Sequence, residues 1–398
     1  MKEKLFDKID SYRGELIALA DQIFDNPETG LHEYKASAWL TEYLENHGFR
    51  VERGVGGLET AFRATYEVGS GGPSFGLLCE YDALEKQGHA CGHHLQGPCI
   101  IGAAMALKEV VLDRPYKLVV YGTPAEENEA GKVTMLENGC FQDIDIALMM
   151  HMDGATRVDV KYLANVKYRV IFHGVSSHAA RKPEDGKSAL DALILSFQGV
   201  EFLREHVIDD VRMHYTVVDA GAPANVVSPR AEGAFVLRSY DMEYLKDVER
   251  RFRNIMEGAA LMTDTRAEII LEKRIDNKIP VLSLNNILME NARLVNAPQI
   301  APPRAKTGST DFCNVTSVVP GACIRVAFVP ITVGPHTKGY YDAGKAPAGH
   351  DGLIYGSKIL AGSMWDILEK PALMDQIKEE FADNLLHKNY NKYVGDFS

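Results

Sequence analysis

Residues 74–127, SFGLLCEYDALEKQGHACGHHLQGPCIIGAAMALKEVVLDRPYKLVVYGTPAEE, carry the reading that decides the fold. The apolar runs Ser74–Cys79 and Lys117–Tyr121 are of strand length, and between them lies a longer helical stretch, Pro98–Val111. A third apolar run, Ile146–Met150, follows. Strands alternating with helices imply a mainly parallel sheet covered on its faces. Each run leads into polar residues: Glu80-Tyr81-Asp82, then Glu126-Glu127, then His151. In open α/β sheets ligands gather beyond the carboxyl ends of the strands, so these endings are expected to meet in one site.

Upstream, Leu5–Phe24 and Tyr34–His47 read as amphipathic helices parted by the breaker Asn26-Pro27-Glu28-Thr29-Gly30. Downstream the rhythm changes. From about Lys167 the order is strand (Tyr168–Phe172), helix (Ser188–Val207), strand (Met213–Asp219), strand (Ala231–Ser239), helix (Met242–Met262) and strand (Ala267–Glu272). That β-α-β-β-α-β order is the ferredoxin-like unit. The chain returns through a helix near Leu282–Leu294, a Gly308-Ser309-Thr310 loop, a strand at Cys323–Phe328 and a long helix from Gly352 to Leu368. A chain of 398 residues is too long for one ordinary core. The expected architecture is α/β: a mainly parallel-sheet domain from residues 1–166 and 281–398, with an inserted α+β ferredoxin-like domain at 167–280.

The formal net charge of −12 argues against broad binding to nucleic acid or to anionic lipid, since either needs a basic face. No apolar run approaches the roughly 18 residues that span a bilayer. The first residues alternate charged and apolar side chains without the apolar core of a signal peptide. Six cysteines are thinly spread, at 79, 91, 99, 140, 313 and 323, which suggests free thiols in a reducing compartment. A cytoplasmic protein is expected.

The densest polar cluster is Gly88-His89-Ala90-Cys91-Gly92-His93-His94, where glycines let the backbone bend and several ligands can be aimed at one point. A solvated histidine-rich turn is the plainer alternative. Adjacent carboxylates at Glu126 and Glu127 repel, and a cation on one leaves its neighbour free to take a proton. Cys91, His93, Glu127 and His151 together form a mixed sulfur, nitrogen and oxygen set suited to zinc, manganese, nickel or cobalt. Neither the deaminase pattern H-x-E with P-C-x-x-C nor H-E-x-x-H is present.

As a set, these motifs resemble the aminoacylase and carboxypeptidase family of dinuclear metallopeptidases. The likeness is to its cysteine-ligand amidohydrolase branch of hippurate, auxin-conjugate and aminobenzoyl-glutamate hydrolases and basic-dipeptide dipeptidases. It runs in order through Asn26-Pro27-Glu28, Tyr81-Asp82-Ala83-Leu84, His89-Ala90-Cys91-Gly92-His93, Gly122-Thr123-Pro124-Ala125-Glu126-Glu127, His178-Ala179-Ala180, Asn225-Val226-Val227 and Gly308-Ser309-Thr310-Asp311-Phe312. The chain departs from the branch at His94, where Asp or Asn is usual, and after Leu84, where proline is common.

The resemblance implies two divalent metal ions, zinc or manganese before nickel or cobalt, with Cys91 bridging them. His93, Glu127, His151 and a late histidine would complete the ligand set. His336 matches that last position best and His350 is the second candidate, while Asp82 is a further site candidate. Glu126 would be the general base that takes a proton from water and delivers it to the leaving amine. The inserted domain would be a lid and dimerisation domain of a homodimer. There His178 would reach the partner subunit's active site to stabilise the oxyanion, and Asn225 and Arg238 would line the polar end of the substrate.

The resulting expectation is a metal-dependent amidohydrolase acting on small N-acyl amino acids or dipeptides. Two alternatives stand beside it: a cysteine hydrolase with Cys91 as nucleophile, and a metal-containing binding protein without turnover. The Gly308-Ser309-Thr310-Asp311 stretch leans toward dipeptide and aminobenzoyl-glutamate substrates.

Overall fold

The computed structural model describes residues 1–387. The chain forms two compact units, one of Met1–Lys161 joined by the chain from Lys278 onward, the other of Tyr162–Asn277.

The first unit runs through α1 (Lys2–Phe24), α2 (Tyr34–Asn46), β1 (Arg50–Arg53), β2 (Phe62–Val68), β3 (Ser74–Cys79), α3 (Gln96–Val110), β4 (Tyr116–Gly122), α4 (Gly131–Glu137), β5 (Ile146–Asp153) and β6 (Arg157–Val158). The second unit comprises β7 (Ala164–His173), α5 (Ala189–Leu203), β8 (Arg212–Asp219), β9 (Arg230–Ser239), α6 (Met242–Met262) and β10 (Arg266–Ile275). The chain re-enters the first unit with α7 (Leu282–Leu294), α8 (Phe312–Thr316), β11 (Gly321–Ala327), α9 (Lys338–Ala343), α10 (Pro347–Glu369) and α11 (Ala372–His387).

In the first unit the strands form a seven-stranded sheet in the order β1-β2-β4-β3-β5-β11-β6. The central strands β4, β3, β5 and β11 are mutually parallel. Both edges are antiparallel, through β1 and β2 on one side and β6 on the other. The sheet is thus mixed at its margins, because β1, β2 and β6 are short or rich in charge and gave no apolar run to read. Side chains alternate between two cores. Phe75, Leu77, Leu118, Val120, Ile146, Leu148, Ala322 and Ile324 face α1, α3 and α10. Leu78, Val119, Tyr121, Ala147, Met149 and Cys323 pack with Met135, Phe141, Phe312 and Val315 on the other side. Helix α3 is apolar around its circumference from Cys99 to Leu107 and is buried throughout that span, as a helix enclosed on all sides must be.

The second unit has a four-stranded antiparallel sheet ordered β10-β7-β9-β8. Its core takes Ala164, Val166, Tyr168, Val170 and Phe172 from alternate positions of β7, packed with Leu193 of α5 and Leu245, Phe252 and Met256 of α6. This period-two burial on one face is what a sheet covered by helices on one side requires. The strand begins at Ala164, ahead of residue 167 where the sequence reading began the inserted domain. Among the described residues no helix is long and apolar enough to cross a membrane. All six cysteines are buried and free.

Candidate metal centre

The parallel core of the first sheet delivers the polar endings to one place. Glu80 and Asp82 follow β3, Glu126 and Glu127 follow β4, and His151 lies in β5 itself, which extends to Asp153 beyond its apolar run. Strand β11 runs beside β5 with Arg325 in register with His151. The turn carrying Cys91 and His93 depends on Gly92, whose φ of +85° is left-handed, and a Cβ there would meet Met152 Cβ at 3.1 Å.

Three donor groups converge, in each of which the ligand atoms lie within 4.8 Å of one another. They are Cys91, His93 and His151; Cys91, Glu127 and His336; and His93, Glu126 and Glu127. Cys91 is common to the first two, and its Sγ is 3.6 Å from His151 Nε2. Glu127 Oε1 is 3.3 Å from His336 Nε2, and His93 Nε2 is 3.3 Å from Glu80 Oε2. Yet His93 Nε2 and Glu127 Oε1 are buried without a hydrogen bond. Buried polar atoms normally find partners, so atoms left open among sulfur, imidazole and carboxylate donors fit a divalent cation.

Asp82 holds this arrangement from behind. Its Oδ1 lies 2.9 Å from His93 Nδ1, and its Oδ2 accepts the backbone N–H of Glu127 at 3.0 Å. The loop bearing Glu126 and Glu127 is bent by Ala125 and Ala130, with φ of +60° and +56°. Such backbone costs about 1–3 kcal/mol per residue and persists where its surroundings enforce it. One enforcing contact is Glu33 Oε1, which accepts the Ala125 N–H at 2.8 Å. His336 is also left-handed at +62°, and its N–H donates to Ala90 O at 2.9 Å, tying it to the Cys91 turn.

The neighbouring carboxylates are driven apart electrostatically. Burial, reinforced by the charges of Glu80 and Asp311, pushes Glu126 up to about 8. Burial would raise Glu127 too, but the His336 ring beside it and the charge at His93 outweigh that and hold it at about 2. Contact with Cys91 and Glu127 raises His336 to about 10. Burial lowers His151 to about 3, helped by Arg325.

Other histidines point elsewhere. His350 does not precede the helix but lies inside α10, where its Nε2 pairs with Asp21 Oδ1 at 2.9 Å, away from the donor groups. The late histidine brought to Cys91 and Glu127 is His336. His94 is enclosed against Phe24, with Nε2 3.1 Å from Gly344 O, and burial lowers it to about 3. His89 lies beside the same ring, so of the three clustered histidines only His93 joins the donors.

In the second unit, His178 and Asn225 are adjacent on exposed loops. His178 forms a bridge with Val226, and the Ala179 N–H donates to Asn225 O at 3.1 Å. Arg238 stands in β9 opposite Asn165 of β7 and Arg212 of β8, and burial lowers its guanidinium below the usual value. Glu80 stands at the sheet edge where its strand ending was expected to meet the others, and Asp311 lies in a motif of the resemblance, but their pairing with Lys132 had no signal in the sequence, since a lone lysine is ordinarily a solvated surface group.

Residues 73–343 match the model of Peptidase family M20/M25/M40. The chain is 35% identical over 314 residues to a subunit of the p-aminobenzoyl-glutamate hydrolase of Escherichia coli (strain K12), a match spanning 74% of this chain and 65% of that protein. It is 31% identical over 401 residues to the Xaa-Arg dipeptidase of Mus musculus, spanning 97% and 93%. Among solved structures, the aminobenzoyl-glutamate utilization protein of Klebsiella pneumoniae superposes with a TM-score of 0.74 at 19% identity, over 92% of this chain and 99% of that one. The YXEP protein of Bacillus subtilis, a dinuclear metal-binding peptidase of the M20 family, gives 0.69 at 19% identity, over 90% and 99%. With donor groups where the strands of the parallel sheet end and a family match across most of its length, the chain belongs to the M20/M25/M40 peptidase family, as a hydrolase of amide bonds.

Proposed function

We propose that this chain is a dinuclear metal-dependent amidohydrolase that cleaves small N-acyl amino acids or dipeptides, with aminobenzoyl-glutamate and Xaa-Arg-like dipeptides first among its substrates. The observation that carries the reading is the sharing of Cys91 between one donor group completed by His93 and His151 and another completed by Glu127 and His336. Two divalent ions, when bound, supply the positive charge that acidifies a water and polarises an amide carbonyl. Zinc or manganese suits the mixed donor set first, nickel or cobalt next.

The chain's own residues divide the remaining work. Asp82 fixes the His93 ring and the Glu127 backbone. Glu127, held near 2, stays ionised as a ligand across the working range. Glu126, raised to about 8, exchanges a proton near neutrality: it takes one from the attacking water and returns it to the departing nitrogen. His178 of the second unit would reach the partner subunit's active site to stabilise the developing oxyanion, while Asn225 and Arg238 line the polar end of the substrate. This role for the second unit is that of a lid and dimerisation domain in a cytoplasmic homodimer.

A second reading, Cys91 as nucleophile, draws on its 3.6 Å contact with His151. The discriminating experiment follows amine release across N-acyl amino acids, dipeptides and aminobenzoyl-glutamate, using apo protein reloaded with zinc, manganese, cobalt or nickel. Metal-restored cleavage is expected. Activity that survives exhaustive chelation but dies on thiol alkylation selects the nucleophile, and a panel silent with every metal refutes the hydrolase reading for these substrates.

A further inference from the structure

Behind Glu126 stand two more carboxylates. Oxygens of Glu80, Glu126 and Asp311 lie within 4.8 Å of one another, and the Glu80 and Asp311 side chains are enclosed. Buried like charges this close separate, take up protons or collect a cation. Here the chain supplies the cation. The ammonium of Lys132, with no solvent exposure, lies 2.6 Å from Glu80 Oε1 and 2.7 Å from Asp311 Oδ1. The Lys132 backbone N–H also donates to Asp311 Oδ2 at 3.0 Å. Gln96 fixes Glu80 from the other side, donating from Nε2 to Glu80 Oε2 at 2.8 Å and accepting the Glu80 N–H at 3.1 Å.

We propose that Lys132 is a positioning residue for the general base: it binds Glu80 and Asp311 into a rigid set that fixes the surroundings of Glu126, whose carboxylate lies within 4.8 Å of both. The inference rests on the reading of Glu126 as the base. The same ammonium takes the place of a cation among these three carboxylates, so metal ions are confined to the groups that contain Cys91 or His93. Segments distant in sequence meet at this one charge: the end of β3, the start of α4 and the loop before α8. Burying a lysine completely is costly unless it is paired on every side, and this one is paired twice through its side chain and again through its backbone. The geometry matters because a base must stay within hydrogen-bond reach of the proton it moves, and small displacements lower turnover steeply.

The test compares wild type, Lys132→Met and Lys132→Met/Asp311→Asn, all loaded with the same metal. The double variant keeps the net charge of the buried set and so guards against a single variant that fails to fold. Metal content per chain, melting temperature, kcat and KM are measured. In the folded variants kcat is expected to fall by about 100-fold or more with KM within about 3-fold. Metal content should stay at the wild-type level. In the double variant the melting temperature should recover and kcat should not. Near-normal kcat in a folded variant, kcat that recovers in step with melting temperature, or a loss that tracks missing metal overturns the proposal and leaves Lys132 a structural counter-ion. A wild type that is silent with every metal is a different failure: it removes the reading of Glu126, and this inference with it.

Discussion

The carboxylate of Asp82 grips two chain segments at once, with Oδ1 2.9 Å from Nδ1 of His93 and Oδ2 receiving the Glu127 backbone N–H at 3.0 Å. Groups that orient a ligand from behind fix its ring and raise its basicity, and so contribute to metal affinity. Asp82→Ala should therefore weaken metal binding by about 10–100-fold in competition with a chelator. Unchanged affinity would mean that the ring is held by packing alone.

Glu126→Gln preserves shape and removes the proton acceptor. The expected variant carries the wild-type complement of metal and has kcat lowered by at least about 100-fold. A near-normal kcat would show that another group moves the proton.

His336 and His350 differ in what they touch. His336→Ala should lower metal content, because its ring stands at Glu127 and in a donor group with Cys91. His350→Ala should leave metal content unchanged and cost about 1 kcal/mol or less in stability, since it removes a partly buried pair with Asp21. Metal analysis of the two purified variants checks both, and the reverse pattern would exchange their assignments.

A Cβ at Gly131 would collide with the carbonyl oxygen of Pro124 and crowd Leu58. The backbone at either end of the Glu126–Glu127 loop would have to shift. Gly131→Ala should cost about 1–3 kcal/mol in denaturant unfolding and lower kcat together with it. A variant with normal stability and normal turnover would show that the loop tolerates displacement.

Asp159 is fully buried beside Arg304 and Arg325, with Arg304 Nη2 2.6 Å and Arg325 Nε 3.2 Å from its Oδ2. Burial would raise its pKa, but the two guanidinium groups hold it at about 2, below the unfolded value of 3.8. The unfolded chain therefore binds the proton first, and stability is present above pH 4 and lost as pH falls toward 2. The contribution is about 2 kcal/mol. Denaturant titrations between pH 5 and 2 should show Asp159→Asn less stable than wild type at the upper end, with a shallower acid slope. Parallel slopes would assign the acid loss to other groups.

Much of this protein was legible in its residues, and the reasons are local. The period of apolar positions placed α6 and α7 residue for residue, and strand β3 likewise. Apolar runs ending in Glu80-Tyr81-Asp82 and Glu126-Glu127 pointed to one sheet edge because parallel strands all end on the same side. Cys91 and His93 could be read as donors because a glycine between them permits the turn. Tertiary structure decided what depends on meeting across the fold. It brought His336 rather than His350 to Cys91, since a residue inside a helix faces whatever packs there, which for His350 is Asp21. It added β1, β2 and β6, whose pairing comes from neighbouring strands rather than from their own short sequences. And it buried Lys132 between Glu80 and Asp311, a placement no window of sequence reveals, because a lysine's charge is affordable inside a protein only when distant segments arrive to neutralise it.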